Sequence, residues 1–469
     1  MTEDYREAEA RRRLTIDPAD IDWGPPRKRS EDWPDDPDTR RFTEWLRSLI
    51  PAEEWERRRL AHFFALYGAG MPVERERTPD LPFNLDAGHD RGGWYLFLAE
   101  SWIDHISDYE PAQGSRVIPL FQMLGAGFDL LMQVDGVEER ARRILVGDAK
   151  SPDGAVFELL VALAYKRAGW PTVRFVEERK DSKTPDLIVM SDDQVWAVEC
   201  KRMSKARYSQ IERDLLWRRW RPVMAMVEQL RFSLFFDVTF KAEVSEVSED
   251  YLVILAASAL AAGGTLDFDD EVASGRVSPI DVAAVRAEVR DHPVLHPSQR
   301  LFELLTGEYA PTFAYAAAIE AKAWSVNPRY IEDVGVASII RWRSVHENAI
   351  NAKARHFKRQ MAEATRQLRG WGPSVLHLGH EAMEGQPAEA ARRERLNAVI
   401  RNFDTQGVWL FWILLHHFTF ESPPDSGWVA EETVDWNGTG RIPCPLPLPP
   451  RLLALRNDEP GTPPWEVPD

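Results

Sequence analysis

Residues 184–202, TPDLIVMSDDQVWAVECKR, constrain the chain more than any other segment. Two β-rich runs, DLIVM and VWAVEC, flank Ser191-Asp192-Asp193-Gln194, whose residue types are those of a turn. The pattern predicts a hairpin centred on Asp192-Asp193, with Asp186 directly opposite Glu199. Directly opposed residues have Cβ atoms about 4.5–5.5 Å apart, and like charges there are destabilising. At that separation and an effective dielectric of about 20, two carboxylates repel by about 3 kcal/mol. A bound cation, a shared proton or a nearby lysine must offset this. Side chains alternate along a strand, so Lys201 shares the face of Glu199. Two carboxylates and an ammonium on one face suit divalent-metal chemistry on a phosphate.

The plainer reading of an acid and a lysine two residues apart is a solvated strand face. This strand, however, is apolar on both faces: Val195 and Ala197 on one, Trp196, Val198 and Cys200 on the other. A strand buried on both sides carries charge only at a cost. Lysine is also scarce, 11 residues against 47 arginines, which makes its placement here informative.

The preceding segment, SPDGAVFELLVALAYKRAGW, predicts a helix with Ser151 as N-cap, Pro152 at the first helical position and Gly169 as the stop. Glu158 is its one charged residue between Ala155 and Tyr165. Ala155, Val161 and Ala162 are its helical neighbours, so its carboxylate sits in an apolar surround. A shared metal or a hydrogen bond to the adjacent site would resolve that burial cost.

Glu158, Pro185-Asp186 and Glu199-Cys200-Lys201, in the order helix, strand, hairpin, resemble the PD-(D/E)XK nuclease superfamily. The resemblance covers about 50 residues, including a strand near 172–178. It implies an α/β fold: a restriction-endonuclease-like core with a central mixed sheet flanked by helices. It also implies that Asp186 and Glu199 hold Mg²⁺ (Mn²⁺ substituting), with Glu158 as accessory metal ligand and Lys201 as the catalytic lysine. The expected activity is Mg²⁺-dependent endonucleolytic hydrolysis of phosphodiester bonds, in DNA first, in genome defence or repair. Members of the superfamily that have lost cleavage supply the alternative, a nucleic-acid-binding or partner-recruiting protein.

Arg202, Lys205 and Arg207 follow the site and are candidates to grip neighbouring phosphates; Gln210 is a further candidate. The segment 347–371 reads as one long helix ahead of a strand at 374–380. It looks similar to the basic, glutamine-bearing helix with which several nuclease-like proteins close their sheet. Lys353, Lys358, Arg359 and Gln367 are its candidate nucleic-acid contacts.

The net charge of −17 counts against a protein coated for non-specific duplex binding, so a local basic groove or a partner is needed to bring substrate. A homodimer or a partner protein fits double-strand cutting. The two cysteines, Cys200 and Cys444, are too few for a disulfide framework, and no signal segment is read at the start; a cytoplasmic place and no membrane partner are expected.

The organisation read from patterning is a mobile arm (1–40), a helical N-terminal domain (41–147), a nuclease-like domain (148–422) with a polar insertion at 263–310, and an unpacked Pro-rich tail (443–469). The helical region is either a docking surface or a cover on the core, and apolar helical stripes favour the cover. His416 and His417 face opposite ways on their strand, and His377 and His380 have no companion cluster in the sequence.

Overall fold

The 184–202 segment forms the hairpin in the expected register: Leu187 pairs with Val198, Ile188 with Ala197 and Val189 with Trp196. Asp186 is the residue before that ladder, one step from Leu187. Asp192 turns the chain at a φ of 49°, a conformation that aspartate tolerates. The computed structural model describes residues 35–70, 90–146, 152–177, 183–192, 194–203, 207–311, 313–324, 327, 329–354, 356–382, 385–405, 407–424, 427–438 and 447–453.

The strands among these are β1 (Thr172–Phe175), β2 (Leu187–Ser191), β3 (Gln194–Arg202), β4 (Leu234–Phe240), β5 (Leu266–Asp269), β6 (Ala273–Pro279), β7 (Val294–Leu295), β8 (Ala314–Ala323), β9 (Tyr330–Ser344), β10 (Ser374–Glu381), β11 (Leu410–Glu421) and β12 (Val429–Gly438). The N-terminal helices are α1 (Pro37–Ser48), α2 (Ala52–Gly70), α3 (Arg91–Asp104), α4 (Pro111–Ala126), α5 (Phe128–Leu131) and α6 (Val137–Val146). The others are α7 (Asp153–Arg167), α8 (Arg207–Leu230), α9 (Tyr251–Ala261), α10 (Val282–Asp291), α11 (Gln299–Thr306), α12 (Glu347–Ala354), α13 (His356–Leu368) and α14 (Gln386–Arg401).

The fold is α/β with two mixed sheets of six strands. The first runs β1-β2-β3-β10-β11-β12. Its β3–β10 and β10–β11 pairs are parallel, and the others are antiparallel. Helix α7 packs on one face, where Phe157 and Leu160 meet Val198 and Val375. On the other, Met361, Ala364 and Leu368 of α13 meet Ala197, Leu376 and Leu378. Helix α7 ends as expected: Gly169 takes a φ of +88°, its N–H bonds the Lys166 carbonyl, and the Trp170 N–H bonds that of Tyr165. Its start differs from expectation. Pro152 precedes the helix instead of opening it, and Ser151 lies outside the described residues.

The polar insertion expected at 263–310 is ordered and forms part of a second sheet. Strands β5, β6 and β7 and helices α10 and α11 lie there. Together with β4, β8 and β9 the three strands make the second sheet. Strand β9 carries a bulge at Gly335, which is skipped between the Glu320–Val336 and Ala321–Val334 pairs. The extra residue lets Val334 join Ala337 and Ile339 over α10 and α11, while Val336 and Ile340 face α8 and α9. The short strands escaped notice because β5 and β6 are edge-side, half-exposed and rich in Asp, Ser and Gly.

Three other boundaries change. Helix α1 begins inside the expected arm: Asp36 caps it by accepting from the Thr39 N–H at 3.0 Å, and Pro37 opens it. Phe42, Phe97 and Phe121 share one core with Val198, Val375 and Phe411, so the N-terminal helices cover the first sheet. Beyond residue 422, β12 completes that sheet, and Leu448, Leu452 and Leu453 of the tail are buried in its core. Among the described residues no helix is long and apolar enough to cross a membrane.

Candidate functional site

The expected acids gather where α7 meets the open end of the hairpin. Glu199 is fully buried, and its Oε1 lies 2.7 Å from the Lys201 Nζ, two residues on along the same strand face. Its Oε2 is buried with no hydrogen-bond partner among the described residues. Asp186 sits at the mouth of the hairpin. Its Oδ2 accepts the Cys200 backbone N–H at 2.8 Å, and its carbonyl accepts the Val176 N–H at 2.9 Å, which ties it to β3 and to the end of β1. Cys200 itself points into the core, as the alternation requires.

Lys201 Nζ donates to Gln367 Oε1 at 2.7 Å, and the Gln367 amide donates to the Thr184 carbonyl at 3.3 Å. Gln367, on α13, thus orients the ammonium and braces the segment leading to Asp186. Burial alone lowers the Lys201 pKa, but Glu199 and then Asp186 outweigh it, so the net shift is upward and the lysine stays charged. Burial, then the nearby Asp186, raises the Glu199 carboxyl well above its ordinary value. The same two causes push Glu158 up to about 8.

A residue that the sequence reading passed over completes the cluster. Arg140, on α6, is 4% exposed and forms an ion pair with Glu158 Oε2, with its Nη1 3.8 Å from Asp186 Oδ1. Its guanidinium lies 4.9 Å over the Phe175 ring. The chain just before α6 is fastened to the edge of β1, since Asp135 N–H bonds the Val173 carbonyl and Phe175 N–H bonds the Asp135 carbonyl. A signal was present: Val137, Arg140, Ala141 and Ile144 form an i, i+3, i+4, i+7 stripe, and only the arginine breaks its apolar character. Three acidic side chains thus share a dry setting with two cations, and the raised values of Glu199 and Glu158 reflect the cost of ionising all three there.

Arg202 does not join the site. It points to the opposite face of β3 from Lys201, 6% exposed, bonded to Glu381 at 3.0 Å and stacked on Phe418. With its charge committed inside the core, the expectation that it grips phosphate is withdrawn. Gln210 is exposed and bonds Asp214 at 2.8 Å. Lys205 lies outside the described residues, as do the side chains of Arg207, Lys353 and Lys358; Arg359 is exposed on α13.

The histidines find companions that only the folded sheet supplies. On one face Tyr165 Oη, His377, His416 and Glu432 form a chain, with contacts of 3.1, 2.9 and 2.6 Å. Glu432 Oε2 then accepts the N–H groups of Leu452 and Leu453 at 2.7 and 2.6 Å. On the other face His380 meets His417 at 2.7 Å, and His417 lies 3.3 Å from Asp435. The partners of each pair sit on adjacent strands, distant in sequence.

No protein-family model, curated protein or solved structure matches the chain.

Proposed function

We propose that this chain is a metal-dependent nuclease that hydrolyses phosphodiester bonds, in DNA first, around a restriction-endonuclease-like core. The observation that carries the reading is the fully buried Glu199, with no hydrogen-bond partner at Oε2 among the described residues, beside Asp186 and 2.7 Å from Lys201. An anionic oxygen so placed is expensive unless a cation completes it. The donors are all carboxylate oxygens, which fit a hard divalent cation such as Mg²⁺ or Mn²⁺. The order of α7, β1, the β2–β3 hairpin, α13 and a parallel β10 supports the resemblance carried by Asp186, Glu199 and Lys201.

In this reading Asp186 and Glu199 hold the metal, with Glu158 beside them. Bound there, Mg²⁺ supplies Lewis-acid polarisation of phosphate oxygen and a more acidic water. Lys201 stays protonated, so it orients the attacking water and stabilises developing negative charge instead of removing a proton. Gln367 fixes the ammonium for that task.

The test is incubation of purified protein with supercoiled plasmid, linear duplex DNA, single strands and RNA, in Mg²⁺, Mn²⁺ or chelator. Metal-dependent cutting that disappears in Asp186→Asn and in Lys201→Ala is the expected result. Binding without cutting, indifferent to Lys201→Ala, identifies a non-cleaving nucleic-acid-binding protein instead.

A further inference from the structure

We infer that Arg140 is the resident counter-cation of Glu158 and keeps that carboxylate out of the metal's ligand set, leaving Asp186 and Glu199 as the protein oxygens for a single divalent cation. The inference rests on the nuclease reading and revises the part that Glu158 plays in it.

Four observations carry it. Arg140 is buried, and its Nη1 lies against Glu158 Oε2. The same nitrogen is 3.8 Å from Asp186 Oδ1, so the guanidinium fills the space between the two acids. Its position is built, not incidental: Phe175 lies under it, the Val176 carbonyl accepts from Nη2 at 3.5 Å, and the Asp135 bridge pins the start of α6 to β1. Glu199, by contrast, keeps a buried Oε2 without a hydrogen-bond partner among the described residues, beside Lys201. A divalent ion entering the cluster meets an open oxygen at Glu199 and a positive charge at Glu158. A planar, permanently charged guanidinium is a poor leaving cation, since it cannot shed its charge by losing a proton. Glu158 then serves the site through Arg140, which its Oε2 holds beside Asp186. Both are positioning residues.

The experiment is Mn²⁺ titration by calorimetry near neutral pH, with thermal melting to verify that each variant folds. Wild type is expected to bind one Mn²⁺, and Asp186→Asn to lose at least about tenfold in affinity. Arg140→Gln is expected to tighten binding about tenfold or to admit a second ion, the lower end of what a supporting residue shifts. Arg140→Lys keeps the charge and stays near wild type. Because a lone charge left in this pocket can cost folding, the double variant R140M/E158L removes both charges together, a change that buried ion pairs often tolerate. It is expected to bind Mn²⁺ within about threefold of wild type, far inside the loss that a missing supporting residue causes. A double variant that loses Mn²⁺ as Asp186→Asn does overturns the inference and leaves the nuclease reading standing. A wild type that binds no Mn²⁺ overturns both.

Discussion

The Lys201 ammonium lies 2.7 Å from Glu199 Oε1 and the same distance from Gln367 Oε1, so one buried cation is held between a β-strand and the helix packed across it. This arrangement separates two roles. Removing the ammonium should spare metal binding and harm the chemical step. Lys201→Ala is expected to lower kcat by about 100-fold or more, as the loss of one preorganised charge-stabilising donor does. Gln367→Ala should fall between it and wild type. Single-turnover cleavage measured beside Mn²⁺ affinity checks this; equal losses in both quantities would contradict it.

Helix α6, which delivers Arg140, is seated by a close backbone approach. A Cβ on Gly92 of α3 would lie 1.7 Å from the Ile144 carbonyl oxygen, one turn from Arg140. Neither backbone can yield cheaply. Gly92→Ala is expected to destabilise the protein by about 1–3 kcal/mol through overpacking. Urea denaturation measures it, and an unchanged midpoint would show that α6 is free to shift.

The buried histidines give acid sensitivity. Burial first, and then a neighbouring histidine, holds His377 and His380 well below the usual histidine range; the neighbours are His416 and His417 respectively. Arg392 and Arg202 add to the effect at His380. His417 is also lowered, by burial against the opposing pull of Asp435. The folded protein therefore keeps these rings neutral while the unfolded chain protonates them below about pH 6.5. In that window the unfolded state binds more protons, so stability is present above about pH 6.5 and lost as pH falls. Melting temperature followed from about pH 8 down to 5 should drop below that point. His377→Gln should flatten part of the fall; a wild-type curve already flat across this range would refute it.

Glu432 fastens residues 452–453 to the first sheet. It is buried and accepts from His416 and from two backbone N–H groups. Glu432→Gln replaces one of the two acceptor oxygens with a donor, which faces either His416 or the two N–H groups, at a cost of about 1–3 kcal/mol for a buried unsatisfied group. Urea unfolding of the variant, beside a chain truncated before residue 447, should show both destabilised. A truncated chain as stable as wild type would mean that Leu448, Leu452 and Leu453 add nothing to the core.

The hairpin was legible because a period-2 pattern and a polar turn fix register together: a one-residue slip would have turned Glu199 and Lys201 to the other face. Arg140 was not, since an arginine among Glu138, Glu139, Arg142 and Arg143 reads as one more surface charge until the faces are separated. Strand β12 was missed for a related reason. Its VAEETVDWNG carries acids whose partners, His416 and Arg393, lie on other elements. The histidine pairs 377–416 and 380–417 depend on strand neighbours that no local pattern reveals.

The most direct measurement is an anomalous-scattering map from crystals of the protein soaked in Mn²⁺. The expected result is one peak bounded by carboxylate oxygens of Asp186 and Glu199, with Arg140 still on Glu158. No peak at these acids in fully soaked crystals, or one only at a surface carboxylate elsewhere, would contradict the metal site on which the proposed chemistry depends.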